Sequence, residues 1–206
     1  MLFRSSVMSS PPLSSIEIEY AERCDREHAR ICGDTHPPGL RRRLAAWRHG
    51  RLVRNALKVA GEPGLVLDLA CGSGRFWPVL AEHVNRVILA SDNSQDMLDH
   101  ARTHHPTSLL KRVKTFQGSA FSIGLSANAV DCIFCLELFR HVPSSEARQA
   151  LLQEFHRVSR DTVIVSVASH TPVEDEFRRA GFEVLNYQEF IPGSSVWRVY
   201  ILRKTG

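Results

Sequence analysis

The stretch VLDLACGSGRF, residues 66–76, runs from strand-forming residues straight into Cys-Gly-Ser-Gly and then into Arg75 and Phe76. An apolar run that gives way to two glycines marks a place where the backbone turns tightly or admits a close neighbour. The surroundings decide between these readings. Short apolar runs alternate with amphipathic segments from here on: strand 65–69, helix 75–84, strand 86–91, helix 94–104, strand 113–117, strand 130–136, helix 144–159, strand 162–168, helix 173–180, strand 182–190 and strand 195–203. Near-continuous Val/Ile/Leu/Cys strands separated by helices predict an α/β fold, a doubly wound and mostly parallel sheet covered on both faces. The last two strands are joined by IPGS, too short for a crossover helix, so they pair antiparallel.

The glycine turn thus follows the first strand of such a sheet, where ligands bind in the crevice at the carboxyl ends of the strands. A helix beginning at residue 75 turns its unpaired N–H groups toward that crevice. Asp92 ends the second strand twenty residues after Gly72 and can accept hydrogen bonds from the vicinal hydroxyls of a ribose. With Asp68 inside the first strand, these residues describe a site for an adenosine-type cofactor. A dinucleotide would favour a third small residue in the GxGxxG pattern. Trp77 stands there, which makes a nicotinamide cofactor and an oxidoreductase the second choice. No GxSxG elbow exists, which removes a hydrolase of that type.

The whole chain sets bounds on this reading. Its 206 residues suit one well-cored domain, and 43% hydrophobic with 23% charged residues is the composition of a globular protein. No apolar run approaches the roughly 18 residues of a membrane span. Residues 1–15 read as a loose arm, 16–60 as a helical lid of two helices broken by CGDTHPPG, and 61–206 as the core. The expected compartment is the cytoplasm, since the opening lacks a secretory apolar region. Five cysteines fit free thiols there. Cys132 and Cys135 form a CxxC, but three positions apart on a strand they face opposite sides, and no second pair completes a metal site. The net charge of +4 is concentrated in RRRLAAWRHGRLVR, residues 41–54. Helical spacing of Leu40, Leu44, Trp47, Leu52, Ala56 and Val59 predicts that these face the core and leave the arginines solvated. Nucleic acid stays open as a less favoured partner.

Taken together, VLDLACGSGRF, ILASDNSQDML, GSAFSIGLSANAVDCIFC, LELFRHV, DTVIVSV and EFRRAGFEV resemble the class I S-adenosylmethionine-dependent methyltransferases of the small methyltransferase-domain type, over roughly residues 45–203. The resemblance implies a Rossmann-like seven-stranded sheet whose last strand is antiparallel, with S-adenosyl-L-methionine as cofactor. By position, Ala70, Cys71, Gly72 and Gly74 fall beside the methionine moiety, Asp68 orients its amino end, and Asp92 takes the ribose. Asn93 and Met97 flank the adenine, and Ser119, Ala120 and Phe121 match the loop reading the adenine edge. For Met97 and Phe121 a place in the core is an equal reading. Leu136 and Glu137 match the turn near the sulfonium, and Arg48 is a candidate for the cofactor carboxylate. His141, with Glu137, is the candidate base or acceptor contact. The acceptor is expected to be a small molecule. Only SHTPV separates the fifth strand from the next helix, so the lid or a protein partner must complete the acceptor pocket; a partner or regulatory protein that binds the cofactor without catalysis is the alternative.

Overall fold

The computed structural model describes residues 40–142, 144–168, 172–189 and 197–206. The arm, the helix expected over 16–32 with Tyr20, the CGDTHPPG break with His36, and most of the SHTPV connection lie outside them. Helix α1 (Leu40–Val59) leads into β1 (Leu65–Leu69), α2 (Trp77–Leu80), β2 (Val87–Asp92), α3 (Gln95–His104), α4 (Thr107–Leu110) and β3 (Val113–Gln117). β4 (Val130–Cys135), a 3-10 turn at Phe139–His141, α5 (Ser145–Val158), β5 (Ser159–Ala168), α6 (Glu174–Arg179), β6 (Phe182–Glu189) and β7 (Trp197–Lys204) follow.

The strands form one sheet of order β3-β2-β1-β4-β5-β7-β6. The first five are parallel, and β7 inserts antiparallel between β5 and β6. Strand order reverses between β1 and β4, which opens the crevice above the carboxyl end of β1. Period-2 alternation divides the core in two. Leu67, Leu69, Ile133 and Cys135 point to the α5/α6 face, and Val66, Cys132 and Phe134 to the α1/α2/α3 face. The two cysteines therefore lie on opposite faces as predicted, both fully buried, and burial pushes each thiol up to about 12. Among the described residues no helix is long and apolar enough to cross a membrane.

Two expectations are corrected. The helix expected over 75–84 shrinks to Trp77–Leu80. Its would-be continuation is opened by guanidiniums that take its carbonyls: the buried Arg86 Nη1 donates to Leu80 O, and the partly buried Arg112 donates to Ala81 O and His83 O. The core-facing stripe of α1 is also displaced. Leu52, Val53, Ala56, Leu57 and Ala60 are buried, whereas Leu44 and Trp47 are 53% and 56% exposed.

On the opposite face α5 and α6 are joined by a buried ion pair, Arg148 Nη2 to Glu176 Oε1 at 2.6 Å, with 11% and 5% of the side chains exposed. Ser145 Oγ also donates to Glu176. Burial opposes the charge on Glu176, but its bonds to Arg148 and Ser145 outweigh it and hold the carboxyl below its usual range. This contribution is present above the unfolded carboxylate pKa and is lost as pH falls through the folded one. Glu176→Ala leaves Arg148 buried without its partner, and chemical denaturation should show a loss of about 3–5 kcal/mol. A loss under about 1 kcal/mol, the range of surface pairs, would show the pair to be solvated.

Candidate functional site

The turn after β1 holds three successive left-handed positions within five residues: Ala70 (φ 57°), Gly72 (φ 52°) and Gly74 (φ 71°). For Ala70 this is strained backbone, a feature that concentrates at functional sites. The glycines have separate reasons. A side chain at Gly72 would meet Met97 Cε at 3.3 Å, so Met97 closes over the turn while Leu98 and Ala101 carry the core contact of α3. A side chain at Gly74 would lie 2.5 Å from Trp77 Cδ2. Trp77, the residue that argued against a dinucleotide, is fully buried directly beneath the turn.

Asp92 fixes the turn. Its Oδ2 accepts the Gly72 N–H at 2.8 Å and its Oδ1 accepts the Ser94 N–H at 3.0 Å. The carboxylate expected to face only the crevice is 7% exposed and belongs to the framework as well. Ser91 O accepts the Cys71 N–H at 3.1 Å, so the two strand ends are doubly linked. The Cys71 side chain packs with Phe76 and Trp77 in the core, and burial pushes its thiol well up.

Asp68 is 3% exposed, and its Oδ2 has no hydrogen-bond partner. Burial pushes its carboxyl up to about 8; the Trp77 indole N–H beside it favours the charged form without closing a normal hydrogen bond, and the charges of Asp92 and Glu137 push the same way as burial. A buried carboxyl without a partner is costly, and a cationic ligand group would relieve it.

A narrow cleft beside the turn is lined by Leu69, Ala70, Asp92, Asn93, Gly118, Ala120 and Leu138. It gathers Ala70, Asp92, Asn93 and Ala120, and adds Gly118 and Leu138, which sequence reasoning missed. Asn93 O accepts from Gln117 Nε2 at 2.9 Å, tying the ends of β2 and β3 together. Ser119 Oγ accepts the Phe121 N–H at 3.0 Å and shapes the following turn, while Phe121 packs against the α5/α6 core.

Beyond β4, Leu136 is buried and its carbonyl accepts from Ser166 Oγ. Glu137 and Arg140 pair at 2.6 Å, and Arg140 Nε donates to His141 Nε2 at 3.2 Å. The nitrogen that would act as a base is thus engaged by a guanidinium. Among the described residues no contact of Arg48 with these groups is seen; its neighbour His49 instead reaches Arg75 beside the turn. His49 Nδ1 lies 2.8 Å from both Arg75 Nη2 and Ala45 O. Burial, then Arg75, lower its pKa to about 4, against the Ala45 carbonyl and with a smaller push from Arg140. The ring is therefore neutral at physiological pH. A lone histidine inside an arginine-rich helix gave no sequence signal for this.

A mostly parallel sheet with β7 inserted antiparallel, a left-handed glycine turn after β1 and an acid closing β2 make a Rossmann-like fold of the class I methyltransferase kind. Residues 66–162 match the family model described as a methyltransferase domain. The match covers somewhat under half of the chain, and methyltransferases of this class use S-adenosylmethionine. An uncharacterized methyltransferase-like protein of Schizosaccharomyces pombe is 33% identical over 98 residues, 47% of this chain and 34% of that protein. The chain thus matches about a third of the length of that relative. Among solved structures, magnesium protoporphyrin IX methyltransferase from Synechocystis PCC 6803 with bound SAH superposes at a TM-score of 0.70, with 15% identity over 93% of this chain and 100% of that one. The complex of the Haloferax volcanii Trm112 methyltransferase activator with a methyltransferase matches at 0.64, with 14% identity over 93% and 98% of the two chains. At these identities the likeness concerns the fold.

Gly74→Ala adds a left-handed penalty to a collision with an immobile indole, and thermal or denaturant unfolding should show about 2–4 kcal/mol lost. Stability unchanged within about 0.5 kcal/mol would mean that the turn relaxes freely. The raised Asp68 carboxyl gives the ligand-free protein stability that is full below its unfolded pKa near 4 and is lost as pH rises toward about 8. Asp68→Asn should flatten stability across that interval. An unaltered pH profile would show Asp68 to be solvated.

Proposed function

We propose that the chain is an S-adenosylmethionine-dependent methyltransferase acting on a small-molecule acceptor, with the cofactor held between the 70–74 turn and Asp92. The observation that carries this reading is the buried Asp68 Oδ2 without a hydrogen-bond partner, beside a left-handed turn that borders the cleft lined by Ala70, Asp92, Asn93 and Ala120. The fit is chemical: an ammonium group would satisfy Asp68 Oδ2 and hold it ionised at neutral pH. Asp92 retains acceptor capacity beyond its two backbone bonds, since a carboxylate offers about four lone-pair sites. Ribose hydroxyls are suitable donors.

When bound, the cofactor supplies an activated methyl group on a sulfonium. The residues of this chain then hold and orient it. Gly72 and Gly74 let the turn take its left-handed shape against Met97 and Trp77, Asp68 fixes the amino end, and Asp92 fixes both the ribose and the turn. Asn93 and Met97 close one side of the adenine position, Ser119 and Ala120 form the opposite edge, and Leu136 with Glu137 borders the transfer point. Positioning of donor and acceptor supplies much of the rate in such a site. For proton removal, His141 must first release Arg140, so we assign the Glu137–Arg140–His141 group to acceptor contact before base chemistry. The N-terminal 16–60 segment is the proposed lid, supported at its α1 end by the His49–Arg75 contact. Completion of the pocket by a protein partner is the second reading, favoured by the likeness to a chain from an activator complex.

Calorimetry with S-adenosylmethionine, S-adenosylhomocysteine and NAD separates the cofactor readings. Binding of the first two alone is expected. Asp92→Asn should weaken that binding by about 1.5–3 kcal/mol, the scale of hydrogen bonds to a charged acceptor. NAD binding without S-adenosylmethionine binding would overturn the proposal.

A further inference from the structure

Helix α1 carries a second apolar patch that the core does not use. On a wheel of about 100° per residue, Leu52, Val53, Ala56, Leu57 and Ala60 cluster on the buried side, while Leu44, Trp47 and Arg51 fall on the opposite side. Leu44 and Trp47, one turn apart, are 53% and 56% exposed, and the Arg51 guanidinium lies 5.8 Å from the Trp47 ring centroid. The helix sequence LRRRLAAWRHGRLVRNALKV holds six arginines, one lysine and no acidic residue. Of the described cations on the outward side, Arg54 is paired with Glu82. Among the described residues no acidic partner is seen for Arg51 or Lys58.

We infer that this face of α1 docks reversibly on an anionic lipid surface. Two properties select that occupant. A helix with cations and no acids is complementary to anionic headgroups, each nearby cation raising partitioning roughly fivefold. An exposed leucine beside an exposed tryptophan suits the boundary between headgroups and acyl chains, where indole is amphipathic and leucine gains apolar burial. A nucleic acid could use the cations and stack on Trp47, but it offers Leu44 nothing. The patch is small, so neither component suffices alone and binding is reversible. His49, on the buried side of the helix, touches Arg75 immediately beyond the glycine turn, so the docking face lies on the side of α1 turned away from that contact.

The test is flotation of the full chain with vesicles of phosphatidylcholine alone and of equimolar phosphatidylcholine and phosphatidylglycerol, alongside titration of a labelled single-stranded RNA. The protein is expected to float with the anionic vesicles only, with a blue shift of tryptophan emission, and to be released by salt. The Leu44→Ser/Trp47→Ser pair should reduce partitioning at least about tenfold, the loss of the apolar component, and abolish the blue shift. Arg51→Glu, which reverses a charge and keeps both apolar side chains, should reduce it by a similar factor. These positions are exposed, and unchanged far-ultraviolet dichroism confirms folding. Absence of flotation, flotation unaffected by either substitution, or RNA binding without vesicle binding would each overturn the inference.

Discussion

The site depends on one carboxylate. Asp92 closes β2 and accepts the Gly72 N–H on one oxygen and the Ser94 N–H on the other, so a single side chain holds the turn after β1 against the turn after β2. Both turns flank the point where strand order reverses, the one place in such a sheet where loops diverge and leave a crevice. Hydrogen bonds to an ionised acceptor are shorter and stronger than neutral ones, and here they are largely shielded from water. The left-handed backbone at Ala70, Gly72 and Gly74 is held in place by this anchor from one side and by the buried Trp77 ring from the other.

That framework separates two carboxyls that a first inspection would treat alike. Asp92 is satisfied by backbone N–H groups and serves as structure and acceptor together. Asp68, three strand residues into β1 and facing Trp77, has an oxygen with no partner and is pushed toward neutrality by burial. A buried carboxyl with an unpartnered oxygen beside the crevice is the feature on which the proposed cationic end of the ligand rests. The groups proposed for acceptor contact are built differently: Glu137, Arg140 and His141 are linked in series, and the neutral His49 is engaged separately by Arg75.

How much of this could be read from the sequence follows from the range of the forces involved. The strands and their order of appearance were legible because burial on both faces demands unbroken Val, Ile, Leu and Cys, and the antiparallel end because IPGS is too short to cross over. Gly72, Gly74 and Asp92 were legible because backbone geometry there admits few residue types. The short α2 was not, since the carbonyls that would extend it are taken by Arg86 and Arg112 from later in the chain. The outward rotation of Leu44 and Trp47 escaped notice because the apolar residues of α1 fit more than one stripe. His49 escaped because only the fold brings it to Arg75, and the backbone role of Asp92 because its partners lie across two turns.

The central claim is that the crevice between the Asp92-anchored turns, beside Asp68, holds S-adenosylmethionine. Backbone amide resonances report this directly when the protein is titrated with S-adenosylhomocysteine, which mimics the cofactor without reacting. The account predicts that the Gly72, Gly74, Asn93 and Ser119 amides shift together along one saturating curve, while those of β6 stay fixed. Saturable shifts confined to another surface, or none at these four amides, would contradict it.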